Sequence, residues 1–425
     1  MTTVKEKICI YWARRDFRLT DNAALYEAVA YAKEHKTQLL PTFVLEDYQR
    51  DGGTQFQFGY PQRQFLSRAL PAFAEQFESF YIATGKGADT FIELAQQYEL
   101  HIFVNEDVYT DFYKQIKKLE EVNISFTVTK DQLSISKETR TGAGAVYSVF
   151  TPFKNAVWQS FVRMEITPTV SFKDVEFLPK EKVAELPHAH HPSEAVLQKL
   201  CSTERLFRVG THTIDIDTLF PFKTNCTLWY TTETEALSQF EIFLKNGILN
   251  YKDKRDSVSE EGTSKMSLAL AWGLVSARTL TYKIQTHFKE DLENPFSNRI
   301  NQGVLTFISE LIWREFYKYL FFHKPELMDT EFQERFRNTI AWVPDDEAQK
   351  RFKAWVQGNT GYKLVDAAML QLAHTGWMHN RARMVVASVL TKNLGVNWRW
   401  GQEYFRAMLI DLDEASNNEI GRAHV

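Results

Sequence analysis

The hydrophobic pattern changes period partway along the chain, and that change constrains the fold more than any other feature. Apolar runs suited to strands occur at Ile8–Trp12, Leu39–Leu45, Phe80–Ala83, His101–Val104 and Ile124–Val128. Helical patterns separate them near Asn22–Glu34, Pro61–Phe77, Asp89–Tyr98 and Thr110–Glu120. Such repetition over residues 1–130 predicts a Rossmann-like α/β domain with a doubly wound parallel sheet. Ligands of these sheets bind at the carboxyl ends of the strands, which makes Ala13–Asp21 a candidate functional loop. After Thr231 the strand signal fades. Helical periods recur at Glu235–Asn246, Ser267–Trp272, Leu280–Glu290, Gly303–His323, Ala348–Gln357, Tyr362–Ala373, His379–Asn393 and Gln402–Ile410. Residues 231–418 are therefore expected to form an all-α domain. Between the two, residues 131–230 carry Pro168, Pro179, Pro187, Pro192 and Pro221 and read as a long connector.

Composition excludes several classes of function. Hydrophobic residues at 44% and charged residues at 24% of 425 are globular values. No apolar run approaches the ~20 residues that span a bilayer, so no membrane partner is expected. The polar stretch Met1–Lys7 has no apolar signal-peptide core, so Arg14-Arg15 is not an export signal. Three scattered cysteines, Cys9, Cys201 and Cys226, suit a reducing cytoplasm and no disulfide frame. His188, His190 and His191 lack the cysteine or carboxylate spacing of a metal site and read as a solvated loop. A net charge of −4 means that any nucleic acid would have to meet a local basic face.

Three clusters in the helical half carry chemistry. Tyr251-x-x-x-Arg255 precedes Gly262-Thr263-Ser264-Lys265-Met266-Ser267, a turn that offers hydroxyls and backbone N–H groups to a phosphate; taken alone, it is also an ordinary helix start. Glu310, Trp313 and Arg314 share a helix face at i, i+3, i+4 and could bind a planar polar ring; a plain ion pair beside a core tryptophan has the same spacing. Finally, Thr375-Gly376-Trp377-Met378-His379-Asn380-Arg381-Ala382-Arg383-Met384 crowds polar and basic groups into an apolar helix start, and Asp411-x-Asp413 and Asn417-Asn418 follow. Breaks of pattern of this kind mark functional sites.

Together these motifs resemble the flavin domain of the DNA photolyase/cryptochrome family. The likeness is dense over Tyr251–Asn418. It recurs at Trp12-x-Arg14-Arg15-Asp16-Phe17-Arg18-Leu19-x-Asp21-Asn22 and at Tyr147-x-Val149-Phe150-Thr151-Pro152-Phe153. The resemblance implies a bent FAD in the helical domain, flanked by Tyr251 and held at its pyrophosphate by Thr263, Ser264 and Ser267, with Lys265 and Met266 also among the cofactor-binding residues. Arg314, Trp377 and Asn380 would line the pocket. Arg383 would pair with Asp411, Asp411 and Asp413 would meet the flavin ring and ribose side, and Asn417 would face the reactive flavin nitrogen. The chain is most similar to class I photolyases for cyclobutane pyrimidine dimers, which share the Asn380 position; the (6-4) relatives have a second histidine there. Glu310, Trp313, Asn380, Arg381 and Met384 would receive the flipped dimer, and Arg255 and Arg381 the DNA phosphates.

The activity implied is light-driven electron transfer from reduced FAD to the dimer, making the chain a carbon–carbon lyase. Glu310 would stabilise the dimer radical anion, and Trp398 and Trp342 would be the middle and outer members of a tryptophan relay. A second, light-harvesting chromophore, a folate or a deazaflavin, would sit in the α/β domain. The protein would work as a cytoplasmic monomer on damaged DNA. The alternative within the resemblance is a cryptochrome-type photoreceptor that signals through a protein partner. Residues 419–425 read as a translated sequencing-library adapter and are expected to be a scar. The chain is accordingly expected to stop short of a Gly-Gly-Trp-x-Trp segment that carries the innermost relay tryptophan.

Overall fold

The computed structural model describes residues 5–50, 58–200, 206–209, 212–288, 301–328, 330–331, 333–337 and 339–417. Asn418 and the adapter-like residues 419–425 lie outside them, as does Cys201.

Strands β1 (Glu6–Ala13), β2 (Gln38–Leu45), β3 (Tyr81–Thr84), β4 (Tyr98–Asn105) and β5 (Ser125–Thr129) form a parallel sheet, extended by a short antiparallel β6 (Ala189–His190). The order is β5-β4-β1-β2-β3-β6, so the winding reverses between β1 and β4. Alternating side chains of β1 explain its near-continuous apolar run. Cys9, Tyr11 and Ala13 enter one core, while Ile8, Ile10 and Trp12 enter another on the opposite face. Strand β6 comes from the segment expected as a connector and corrects the solvated-loop expectation for His190, while His188 and His191 are exposed on either side of it. His190 pairs with Ile82, and its ring lies 3.3 Å from the Thr84 hydroxyl. The same segment contributes the helix Phe150–Phe161 and a hairpin of β7 (Leu206–Val209) and β8 (His212–Asp215).

Beyond residue 231 the described residues are helical. Thr232 and Glu235 form a capping box that starts the helix Glu233–Asn246. The helix Lys363–Thr375 ends at Gly376, whose φ of 70° is a left-handed cap. The expected single helix His379–Asn393 is instead an α-helix, Asn380–Ser388, continued by a π-helical turn, Val389–Asn393. Such turns recur at functional sites. No helix among the described residues is long and apolar enough to cross a membrane.

The two halves share one core. Trp272 of the helix Ser267–Trp272 packs against Phe58, Phe65 and Phe17 and donates its indole N–H to the Ile410 carbonyl at 2.8 Å. Gly273 caps that helix at φ 65°, and a Cβ there would stand 1.9 Å from the Arg15 carbonyl oxygen. Beside this close approach lies a buried network. Arg18 pairs with Asp131 and donates to the carbonyls of Asp21 and Gly273. Arg278 binds Asp21 at 2.8 Å and Asp131 at 2.9 Å. Much of the loop expected to touch a ligand therefore joins the α/β half to the helical half.

Candidate functional site

The turn before the helix Ser267–Trp272 places Lys265 at φ 56°, followed by Met266 in right-handed helical conformation. Neighbouring left- and right-handed residues aim successive N–H groups the same way, an anion-binding arrangement. The Ser264 hydroxyl accepts the Met266 N–H at 3.3 Å, and Tyr230 donates to the Lys265 carbonyl at 2.8 Å. Thr263 is half-buried and Ser267 exposed. The Ser267 hydroxyl meets the Trp377 indole N–H at 3.4 Å, and the Lys265 ammonium lies 5.8 Å from the centre of that indole. The turn and the Trp377 segment are thus one assembly. Tyr230, which sequence reasoning missed, braces it; an aromatic outside any recognisable motif gives no signal of that role.

Behind Trp377, Gly376 lets the chain reverse, and its carbonyl accepts the Ile410 N–H at 2.8 Å. This brings Arg383 to Asp411. One terminal nitrogen of Arg383 reaches both carboxylate oxygens, at 2.9 and 2.7 Å, and Nε donates to the Met378 carbonyl at 2.9 Å. The Asp411 side chain is wholly buried. Asp413 lies 3.1 Å from the buried Lys318 ammonium. Burial alone would raise the Asp413 carboxyl, but Lys318 and Arg314 together hold it well below the usual carboxylate range. Burial pulls the Lys318 ammonium below its ordinary value despite the opposing attraction of Asp413. Arg314 itself is fixed by Glu315 at 2.9 Å and by the Gln132 carbonyl at 3.3 Å. Lys318, Glu315 and Gln132 are further supports not anticipated from the sequence.

Asn417 is buried, and neither its amide nitrogen nor its amide oxygen has a hydrogen-bond partner among the described residues. It adjoins a small cavity shared with Trp398, Trp355 and the π-turn residues Leu390 and Thr391. The Trp398 indole N–H donates to Glu331 at 3.1 Å. Trp342 is half-buried on the loop before the helix Asp345–Val356. That loop joins the one leading to Trp398 through the Val343 N–H and the Gly395 carbonyl at 3.0 Å.

A third group forms a rim. Glu310, on the helix Gln302–His323, pairs with Arg255, and Arg381 pairs with Asp256 at 2.7 Å. Trp313 stacks on Phe150 with centroids 3.5 Å apart and planes 7° from parallel. Met384 approaches Arg381 through its sulfur at 3.7 Å, and Asn380 is exposed at the start of its helix. Tyr251 is buried edge-on to Phe243 and Phe307. The expected residues thus fall into an anion turn with Trp377, an Arg383–Asp411 pair, an Asp413 cluster and this rim.

A separate cavity of about 680 Å³ opens at the carboxyl ends of β1, β2 and β4, where the winding of the sheet reverses. Arg14, Arg15, Glu46, Lys114 and Tyr109 line it, and Arg406 and Glu414 close it from the helical half. The Arg14 guanidinium lies 5.1 Å from the Trp12 ring centre. Glu46 carried no sequence signal, because its partners Gly87 and Gln115 are distant in the chain.

Residues 9–171 match the DNA photolyase family model, and residues 307–421 match the FAD binding domain of DNA photolyase. A deoxyribodipyrimidine photo-lyase of Vibrio cholerae serotype O1 is 30% identical over 424 residues, which span 96% of this chain and 81% of that one. A bacterial class III photolyase from Agrobacterium tumefaciens superposes with a TM-score of 0.76 at 27% identity, covering 99% of this chain and 80% of that one. An archaeal photolyase from Sulfolobus tokodaii, described with two FAD molecules, gives a TM-score of 0.74 at 23% identity, a likeness of fold, over 98% of this chain and 82% of that one. Sheet, helical half, anion turn and Arg–Asp pair thus coincide with sequence likeness along nearly the whole chain, which belongs to the DNA photolyase family.

Proposed function

We propose that the chain repairs cyclobutane pyrimidine dimers in DNA by light-driven electron transfer, as a deoxyribodipyrimidine photo-lyase that uses FAD. One observation carries most of this reading. Asp411 of the buried Arg383–Asp411 pair precedes Asn417 by six residues in the chain, and both polar atoms of the buried Asn417 amide are unmatched among the described residues. An unmatched buried polar group costs about 1–3 kcal/mol. Asn417 therefore suits a ligand edge that both donates and accepts a hydrogen bond, as a flavin ring does.

The residues present fit FAD. Thr263, Ser264, Lys265, Met266 and Ser267 would hold the pyrophosphate, and Lys318 and Arg314, which hold the Asp413 carboxyl well below its usual range, would present it ionised to the ring and ribose side. Tyr251, Trp377 and Asn380 would flank the cofactor, and Arg383 fixes Asp411 toward the ring. When bound and reduced, FAD supplies the photoexcited electron that opens the dimer and takes it back. The chain's own task is to exclude water, orient the ring and receive the flipped dimer. Trp313, already stacked on Phe150, offers a rigid flat platform beside Glu310, Asn380 and Met384. Flipping costs less for a damaged pair. Trp398 and Trp342 are proposed as relay members.

Arg255 and Arg381 would meet backbone phosphates. Binding to dimer-containing DNA in the dark should weaken with salt, with a log–log slope of about −0.9 per phosphate contact. Arg381→Ala should reduce the steepness of that slope by about 0.9. Binding indifferent to salt would contradict a phosphate-facing rim. The 680 Å³ cavity at the strand ends is our candidate for a light-harvesting pigment of the folate or deazaflavin class. Its signature would be an action spectrum for repair with a band that the flavin lacks; reconstituted protein showing only the flavin's own bands would remove the assignment.

A further inference from the structure

The rim contains a charged chain in which acids and bases alternate, Glu310–Arg255–Asp256–Arg381. Its members come from three separate stretches of sequence. Glu310 lies inside a long helix, Arg255 and Asp256 follow the short helix Tyr251–Lys254, and Arg381 is the second residue of the helix Asn380–Ser388. Asp256 is the shared member. Its Oδ1 accepts from Nε of Arg255 at 3.4 Å and from Nε of Arg381 at 2.7 Å. Nη1 of Arg255 is turned the other way, onto Glu310.

A guanidinium has five N–H donors in one plane, so a carboxylate on Nε fixes the plane without consuming the terminal edge. That is the arrangement at Arg381. Its Nη1 meets only the Met384 sulfur at 3.7 Å, and its Nη2 has no hydrogen-bond partner among the described residues. The side chain is 39% exposed, so this edge faces solvent at the mouth of the site. The carboxylate itself is about half exposed and is held below its usual range by the Arg381 hydrogen bond and by both guanidiniums, so it stays charged at neutral pH.

We propose that Asp256 is a positioning residue for substrate binding. It holds the Arg381 guanidinium by its inner nitrogen, so that the outer edge is presented to a DNA phosphate, and it ties this contact through Arg255 to Glu310 in the lesion pocket. The inference rests on the reading of Arg381 as a phosphate contact. Asp256 could instead act as a competing anion, and the two roles predict opposite signs. A competitor that is removed raises affinity for all DNA. A positioner that is removed frees two long side chains, whose ordering must then be supplied on binding.

The test compares Asp256→Asn, Asp256→Ala, Arg381→Ala and the Asp256→Asn/Arg381→Ala double variant of the flavin-loaded protein. Binding is titrated in the dark against a duplex with one thymine dimer and against the undamaged duplex. Asp256→Asn and Asp256→Ala should each weaken binding to the dimer duplex by about fivefold while bound flavin is unchanged. Asp256→Asn should have little further effect once Arg381 is alanine, because its action runs through that side chain. Tighter binding of both duplexes would identify a competing anion and overturn the inference. Additive effects of the two substitutions, or no effect of either Asp256 variant, would overturn it while leaving Arg381 as a phosphate contact. If Arg381→Ala binds like the parent protein, the reading beneath the inference fails with it.

Discussion

Asp411→Ala is expected to produce a protein largely free of flavin and markedly less stable than its parent. Asp411 is wholly buried, and Arg383 is only 12% exposed. Removing the carboxylate leaves a guanidinium in a nearly dry site with one remaining fixed acceptor among the described residues, the Met378 carbonyl. Breaking a buried pair from one side costs about 3–5 kcal/mol, and residual solvent contact at Arg383 favours the lower end. The loss falls where Ile410 is tied to Gly376, so the turn carrying Trp377 should loosen with it. Flavin absorbance of the purified protein, together with its thermal unfolding, measures both effects. Normal flavin content in Asp411→Ala would show that this pair does not organise the cofactor site.

A second large effect is expected at Arg18, in the buried network that joins the two halves. Its side chain is 2% exposed, pairs with Asp131 and satisfies the carbonyls of Asp21 and Gly273. Arg18→Ala removes all of these contacts at once, at a cost of about 3–5 kcal/mol. Burial alone would raise the Asp131 carboxyl, but Arg18 and Arg278 together hold it below its usual range. A carboxyl depressed in the folded state contributes stability that is complete above its unfolded pKa of ~3.9 and is lost as pH falls below that value. With Arg18 gone, the depression shrinks, and acid unfolding should begin at higher pH. Denaturant melts of the two proteins between neutral pH and about pH 3 read this directly. Superimposable acid limbs would mean that Arg278 alone neutralises Asp131.

Much of the fold was legible because the sheet is buried on both faces. The five parallel strands lie within a few residues of the apolar runs that predict them, and no neighbour in space is needed to see them. Two-residue β6 was invisible for the opposite reason: a strand that short has no period, and its identity comes from pairing with Ile82 and Ala83. The place of the loop after β1 at the carboxyl edge of the sheet points to a ligand loop. Arg14 and Arg15 do face a cavity there, but Arg18 and Asp21 meet partners 113 and 257 residues away. Tertiary partners at such separations leave no local trace. At the candidate site, the motifs and the family resemblance they carry brought out Arg383, Asp411 and the turn from Thr263 to Ser267. It could not show Tyr230, Lys318 or Asp256, whose importance lies in what they hold.

The most direct measurement is repair itself. Protein loaded with FAD and chemically reduced is mixed with an oligonucleotide carrying a single thymine dimer, then illuminated with near-ultraviolet or blue light beside a dark control. Intact thymines should reappear only under light and in proportion to bound flavin, with Glu310→Ala slowing repair while retaining its FAD. A flavin-loaded, reduced protein that binds the dimer duplex yet leaves the dimer unchanged under light, or one that repairs equally in the dark, would contradict light-driven electron transfer as the function of this chain.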